Sequence, residues 1–247
     1  MQQIPLAVIA ALDDEIKTVV ARMSVDARVH VRPALFMRGM YDHRPLLLCR
    51  SGLGLAAMEH AINYMLCNYR PGFCLHVGYC GGADPALAPG DIVIASSVVD
   101  ACTEHRLDAD PANVERAQRI CADMKLRCRT GGIATVEELV ASPHEKAFVG
   151  TKLAAAAIDM ESTALAAACA AVGVPYLVVR AVLDPLDHAI PDFSDSLDEA
   201  GRPDGLALAE HLLKHPYDAL KLPHLEYFAS QARHSITAFV DAWIKEG

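Results

Sequence analysis

Carboxylates stand at three places in this 247-residue chain where an apolar run ends and the backbone changes direction. They are Asp13-Asp14-Glu15, the pair Asp159 and Glu161 within Ile158-Asp159-Met160-Glu161-Ser162, and Asp184 at the end of Arg180-Ala181-Val182-Leu183-Asp184. Acidic residues in a first helical turn are ordinarily explained by the helix dipole. That explanation covers two of the first three carboxylates, and it covers Asp159 and Ser162 as residues of a helix start. Asp184 resists it, because Pro185 stops any helix behind it and Arg180 lies upstream on the same strand. Ligands of α/β sheets gather at the carboxyl ends of strands, so Glu15, Glu161 and Asp184 are expected on one rim. Carboxyl groups so gathered suit general acid–base work.

Two glycine-rich segments are expected beside them. Arg50-Ser51-Gly52-Leu53-Gly54 follows a strand and opens a helix, and with Ala57 it satisfies the dinucleotide pattern Gly-x-Gly-x-x-Ala. That reading needs an acidic residue at the end of the next strand, and Phe73–Tyr79 contains none. What remains is a helix N-terminus with backbone N–H groups open to an anion or a polar ligand. Gly78-Tyr79-Cys80-Gly81-Gly82 reads as a second turn, so Gly52, Gly78 and Tyr79 are expected to line a pocket. Cys74, His76, Cys80, Cys102 and His105 match no two-by-two ligand spacing, and no metal is expected.

The elements that must hold these residues alternate along the chain. Leu6–Ala11, Val29–Tyr41, Pro45–Arg50, Phe73–Val77, Asp91–Val99, Arg129–Thr135, Ala155–Met160 and Tyr176–Val182 read as strands. Asp13–Arg22, Leu55–Tyr69, Pro111–Met124, Glu161–Val172, Leu206–Lys214 and His224–Lys245 read as helices. The pattern predicts one α/β domain over residues 1–247, a three-layer arrangement with a mixed central sheet flanked by helices. Pro185 to Gly205 is rich in Pro, Asp, Ser and Gly and reads as a long loop of the functional kind.

Composition narrows the partners. Hydrophobic residues make up 53% and charged ones 21%, which places the chain among globular proteins. A net charge of −9 argues against nucleic acid, whose backbone needs a cationic surface. The first residues lack a signal-peptide pattern and no apolar run suggests a membrane span, so the cytoplasm is expected. Most of the eight cysteines lie in apolar runs and are expected to be reduced core thiols.

Taken together, Ala10–Ile16, Ser51–Gly54, Gly78–Gly82 with Pro89-Gly90-Asp91-Ile92-Val93, Asp159–Glu161 and Val178–Asp184 resemble the nucleoside phosphorylase and nucleosidase superfamily. The similarity spans roughly residues 4–190 and is nearest the methylthioadenosine/S-adenosylhomocysteine nucleosidase branch. The resemblance implies cleavage of a purine N-glycosidic bond, with Glu15 activating water and Asp184 protonating the base at N7. It implies that Met160 and Glu161 hold the ribose, that Arg180 orients Glu161 and the water or anion, and that Leu139 and Val140 lie against the base. It also implies a homodimer or larger homo-oligomer, a small-molecule nucleoside as partner, and no cofactor beyond phosphate if the enzyme is a phosphorylase.

Breaking a ribosyl bond builds an oxocarbenium-like sugar while negative charge grows on the base, and an acid and a base carboxyl answer that need. Asp184 must then hold a proton near neutral pH, and Glu15 must be ionised. The resembled phosphorylases carry arginines where this chain has Asp13–Glu15 and His76, which favours hydrolysis. Arg50 and Arg180 remain as anion ligands. Beyond Asp184, the stretches Pro185–Pro191 and Arg202–Gly205 and the final helix are similar to phosphorylase-like proteins associated with hopanoid lipid synthesis. The alternatives are phosphorolysis by the same site and nucleoside binding without turnover.

Overall fold

The computed structural model describes residues 2–189, 205–215, 218 and 221–246. In chain order the elements are β1 (Gln2–Ile4), β2 (Leu6–Ala10), α1 (Asp13–Arg22), β3 (Ser24–Val31), β4 (Ala34–Tyr41), β5 (Arg44–Arg50), α2 (Leu55–Asn68), β6 (Tyr69–Pro71) and β7 (Cys74–Gly82). There follow β8 (Ile92–Asp100), β9 (Arg106–Asp108), α3 (Pro111–Asp123), β10 (Cys128–Thr135), α4 (Pro143–Leu153), β11 (Ala155–Asp159), α5 (Ser162–Val172), β12 (Tyr176–Asp184), α6 (Gly205–Lys214) and α7 (Leu222–Glu246).

Strands β11-β10-β8-β12-β7-β2-β5-β4-β3 form one mixed sheet, with β9 attached to β8. β7 pairs in parallel with β12 and β2. Its far end also meets β11 antiparallel through Gly81 and Gly82, so β11, β10, β8, β12 and β7 close into a ring of pairings. Helices cover both faces, as an α/β sheet with apolar strands requires. On one side Ile16 and Val19 of α1, Ala117 and Ile120 of α3, and Phe239 and Trp243 of α7 pack on Val8, Leu75 and Val179. On the other, Met58 and Ile62 of α2 and Leu165 of α5 pack on Ala7, Ile9 and Leu47. Truncating one of these large buried side chains costs about 2–5 kcal/mol, which is what fixes the strand ends in space.

The expected layers and most elements are present, with three corrections. Val29–Tyr41 is not one strand: Ser24–Val31 and Ala34–Tyr41 are antiparallel neighbours joined at Arg32-Pro33, where proline has no N–H to continue a ladder. Gly78–Gly82 is not a turn but the second half of β7, paired with β12 from Gly78 to Gly81. The third is α4, a helix that was not expected. Its Ser142 cap accepts from the Glu145 N–H and donates back to the Glu145 carboxylate, with Pro143 at the first position. Of the expected 185–205 loop, residues 190–204 lie outside the described residues. No helix among the described residues is long and apolar enough to cross a membrane.

Candidate active site

Arg180 is the centre of the site. It sits on β12 and is wholly buried, which demands anionic partners. Its Nε and Nη2 are each 2.7 Å from Asp159 Oδ2, and Nη2 donates to Ser162 Oγ at 3.0 Å. Asp159 is further held by Thr135 Oγ1 at 2.8 Å and by the Ser162 N–H at 3.3 Å. Asp159 and Ser162 are therefore more than helix-start residues, because their side chains anchor the arginine. His76 on β7 faces Arg180 Nη2 through Nε2 at 3.1 Å. A guanidinium only donates, so that nitrogen is bare. Burial, then Arg180 itself, hold the imidazole well below its usual pKa and keep it neutral. Of the three guanidinium nitrogens, Nη1 is the one with no hydrogen-bond partner among the described residues.

That free nitrogen lies beside Glu15. A Cβ placed on Gly78 would collide with Arg180 Nη1 and come within 2.7 Å of Glu15 Oε1, so both groups converge on the bare backbone of residue 78. Only glycine permits this approach. Glu15 belongs to the first turn of α1 and folds back to accept from the N–H groups of Ala11 at 2.9 Å and Leu12 at 2.8 Å. Its other oxygen accepts from the Tyr79 N–H at 2.7 Å. Burial pushes its carboxyl above the usual range, while Arg180 and these three donors pull it down. A buried carboxylate of raised basicity, held in one orientation, is suited to taking a proton.

Glu161 stands between β11 and α5. It does not cap its own helix. Oε1 accepts instead from the Gly54 N–H at 2.8 Å, and Oε2 is 3.8 Å from Arg180 Nη2. The glycine turn after β5 thus gives its N–H to a protein carboxylate, which leaves it no phosphate-binding role at that atom. Gly52 and Gly54, at φ of 92° and 87°, supply the turn that aims it. Burial drives the Glu161 carboxyl up to about 7, with Arg180 opposing and Asp159 adding to the rise. Arg180 was expected to orient Glu161, yet its short contact is to Asp159, and Glu161 lies farther off.

Asp184 ends β12, four residues beyond Arg180, and is 3% exposed. The register to β7 shifts between Val182 and Asp184, so Asp184 rather than Leu183 comes opposite Gly81 and the strand's alternation is broken just before the acid. Gly81 on β7 lies opposite, where a Cβ would be 3.4 Å from Asp184 Oδ2. The partner that sequence reasoning missed is Lys146. This fully buried α4 side chain is ion-paired with Asp184, and its Nζ also donates to the carbonyls of Pro185 at 3.2 Å and His188 at 2.8 Å. Burial pushes the Asp184 carboxyl up to about 6, with Lys146 holding it from going higher. The Ser142-Pro143-His144-Glu145 cap signature was the available signal for α4, and hence for Lys146.

The remaining expected residues are placed around these. Met160 and Val140 are partly buried against one cluster that includes Ala134, Val136 and Ile158. Tyr79 gives its N–H to Glu15 and turns its hydroxyl to Asp14 at 2.6 Å, where Arg233 of α7 also binds. Arg50, expected as an anion ligand, is instead bound to Asp13 at 3.3 Å and to the Pro33 carbonyl. All eight cysteines are free; Cys49, Cys74, Cys80, Cys121 and Cys169 are buried, and Cys67, Cys102 and Cys128 are exposed. Among the described residues no three His, Cys, Asp or Glu side chains are grouped to hold a metal ion.

Comparison with known proteins gives a consistent result. Residues 5–214 match the Phosphorylase superfamily. The 5′-methylthioadenosine/S-adenosylhomocysteine nucleosidase of Geobacillus kaustophilus is 29% identical over 195 residues, 72% of this chain and 83% of that protein. The protein of the same name from Shewanella loihica is 27% identical over 232 residues, 85% of this chain and 99% of its own. Among solved structures, a Neisseria meningitidis nucleosidase of that name, in complex with methylthio-immucillin-A, superposes with a TM-score of 0.77 at 18% identity, covering 100% of both chains. Futalosine hydrolase of Helicobacter pylori has a TM-score of 0.73 at 19% identity and covers 97% of each chain.

Proposed function

The chain belongs to the Phosphorylase superfamily, and from that premise we propose that it hydrolyses the N-glycosidic bond of a purine nucleoside, an adenosine modified at the 5′ position. The observation that carries this reading is the meeting of Glu15 Oε1 and the unpartnered Arg180 Nη1 over Gly78. A water there has an acceptor for its proton and a donor to orient its oxygen.

In this reading the water oxygen bonds to C1′ as the C1′–N9 bond breaks and its electron pair leaves with the base. Glu15 accepts one water proton, and Asp184 delivers its own to N7. The products are the free base and a 5′-modified ribose. Glu161 accepts from the ribose hydroxyls while Gly54 and Arg180 fix its other contacts. Met160 packs on the sugar, and Val140 and Leu139 lie against the base. Charge development is met at both ends, which is the general solution for glycoside cleavage.

Hydrolysis is favoured over phosphorolysis by the neighbours of the nucleophile position. Glu15 would repel a phosphate, and Arg50 is committed to Asp13. The resemblance beyond Asp184 supports testing bulky 5′ groups as well as methylthio. The experiment is a panel of purine nucleosides differing at C5′, assayed for free base with and without phosphate. Base release independent of phosphate supports the reading. Release only with phosphate makes the protein a phosphorylase, and binding without release across the panel makes it a nucleoside-binding module.

A further inference from the structure

Lys146 has no counterpart in the acid–base scheme above, yet it touches the group on which that scheme ends. We infer that Lys146 is a positioning residue for the leaving-group acid: its ammonium stabilises the Asp184 carboxylate left when the proton passes to the departing base. The inference rests on the nucleosidase reading and deepens it.

Three observations carry it. First, Lys146 and Asp184 are in direct contact with side-chain exposures of 0% and 5%, so solvent does not screen the pair. Second, the other described bonds of Nζ go to the Pro185 and His188 carbonyls, which fasten the segment that leaves β12 right behind the acid. Lys146 is therefore tied to the carboxylate and to the backbone that presents it. Third, among the described residues the titratable groups facing Asp184 are few: Lys146 from α4, the Cys80 thiol from β7, and His188 from the segment after β12. Of these, Lys146 alone makes an ion pair with it among the described residues.

The chemistry follows from what a buried carboxyl must do. To donate to N7, Asp184 has to be protonated at rest, and burial favours that state. After donation it is an anion in a place where an unpaired charge is costly. A fixed cation lowers the energy of that product of proton transfer, and so of the transition state leading to it. It does so by making the resting acid somewhat easier to ionise, so activity is given up at a lower pH on the basic side. Atoms balance without Lys146 losing a proton: the proton moves from Asp184 to N7, and the ammonium stays an ammonium.

The test is the pH dependence of kcat/KM for adenine release from methylthioadenosine, compared in wild type, Lys146→Met and Lys146→Arg. The basic limb reports Asp184 losing its proton. In Lys146→Met it should move up by about one pH unit or more, while the rate on the plateau falls about tenfold. Lys146→Arg, which keeps a cation, should hold the limb nearer that of wild type. A folded Lys146→Met enzyme whose limb has not moved overturns the inference, since a merely structural lysine would lower the rate at every pH alike. If Lys146→Met does not fold, Lys146→Met/Asp184→Asn, which buries neither charge, is compared with Asp184→Asn. Equal residual rates support action through Asp184, and a further fall of about tenfold overturns it. Wild-type protein that releases no base from any nucleoside overturns the nucleosidase reading too. An active wild type with an unmoved limb overturns only the role of Lys146.

Discussion

Arg180 and Asp159 form an ion pair at 2.7 Å in which neither side chain is more than 1% exposed. A buried charge tolerates the interior only while its counter-charge is present. Asp159→Ala should therefore cost about 3–5 kcal/mol of stability, measured by urea unfolding, whereas Asp159→Asn, which keeps an acceptor for Arg180, should cost less. Base release should fall in both, because Arg180 loses its orientation. A loss under about 1 kcal/mol in Asp159→Ala would mean that Arg180 is held by other groups.

Gly78→Ala tests the meeting of Glu15 and Arg180. The added methyl would collide with Arg180 Nη1 and press on Glu15. Overpacking of this kind costs about 1–3 kcal/mol, and displacement of reacting groups by about 1 Å costs roughly a hundredfold in rate. Gly173→Ala is the control. Its φ of +71° strains any side chain, but no atom lies within 4 Å of the added methyl and the residue is the cap of α5, away from the site. It should lose roughly 1 kcal/mol and keep its activity. Thermal unfolding with steady-state kinetics separates the two.

The pH dependence of stability follows from Glu161. Its folded pKa, about 7, is raised from an ordinary value of 4.5 by burial, so the folded state binds the proton more tightly than the unfolded chain. The contribution of this group is then fully present below pH 4.5 and is lost as pH rises through about 7. Wild type should lose stability across that window relative to Glu161→Gln, by on the order of 3 kcal/mol at most. Urea unfolding of both at a series of pH values gives the difference, and parallel curves would mean that folding does not raise the Glu161 carboxyl.

Much of this was legible in the sequence, and the failures have physical causes. Apolar runs ending shortly before Glu15 and Glu161 and at Asp184 signalled strand ends, and the structure buries those three side chains. Gly78–Gly82 misled because glycine clusters usually mark turns. Here the missing side chain of Gly78 makes room for Arg180 and Glu15 while the ladder to β12 continues. Arg50 misled for the opposite reason, since its partners Asp13 and the Pro33 carbonyl lie 37 and 17 residues away in the chain. Lys146 was invisible on its own terms. A lysine among exposed neighbours reads as solvent-facing, and only the packing of α4 against β11 turns it inward to Asp184.

The central claim is that water, not phosphate, attacks C1′ in a site where Glu15 is the base and Asp184 the acid. It is tested most directly by identifying the sugar product from methylthioadenosine in buffer containing phosphate, with wild type, Glu15→Gln and Asp184→Asn run side by side. Free methylthioribose, formed equally well without phosphate and lost by about a hundredfold or more in both variants, is the predicted result. Methylthioribose 1-phosphate as the product, or undiminished turnover in either variant, would contradict it.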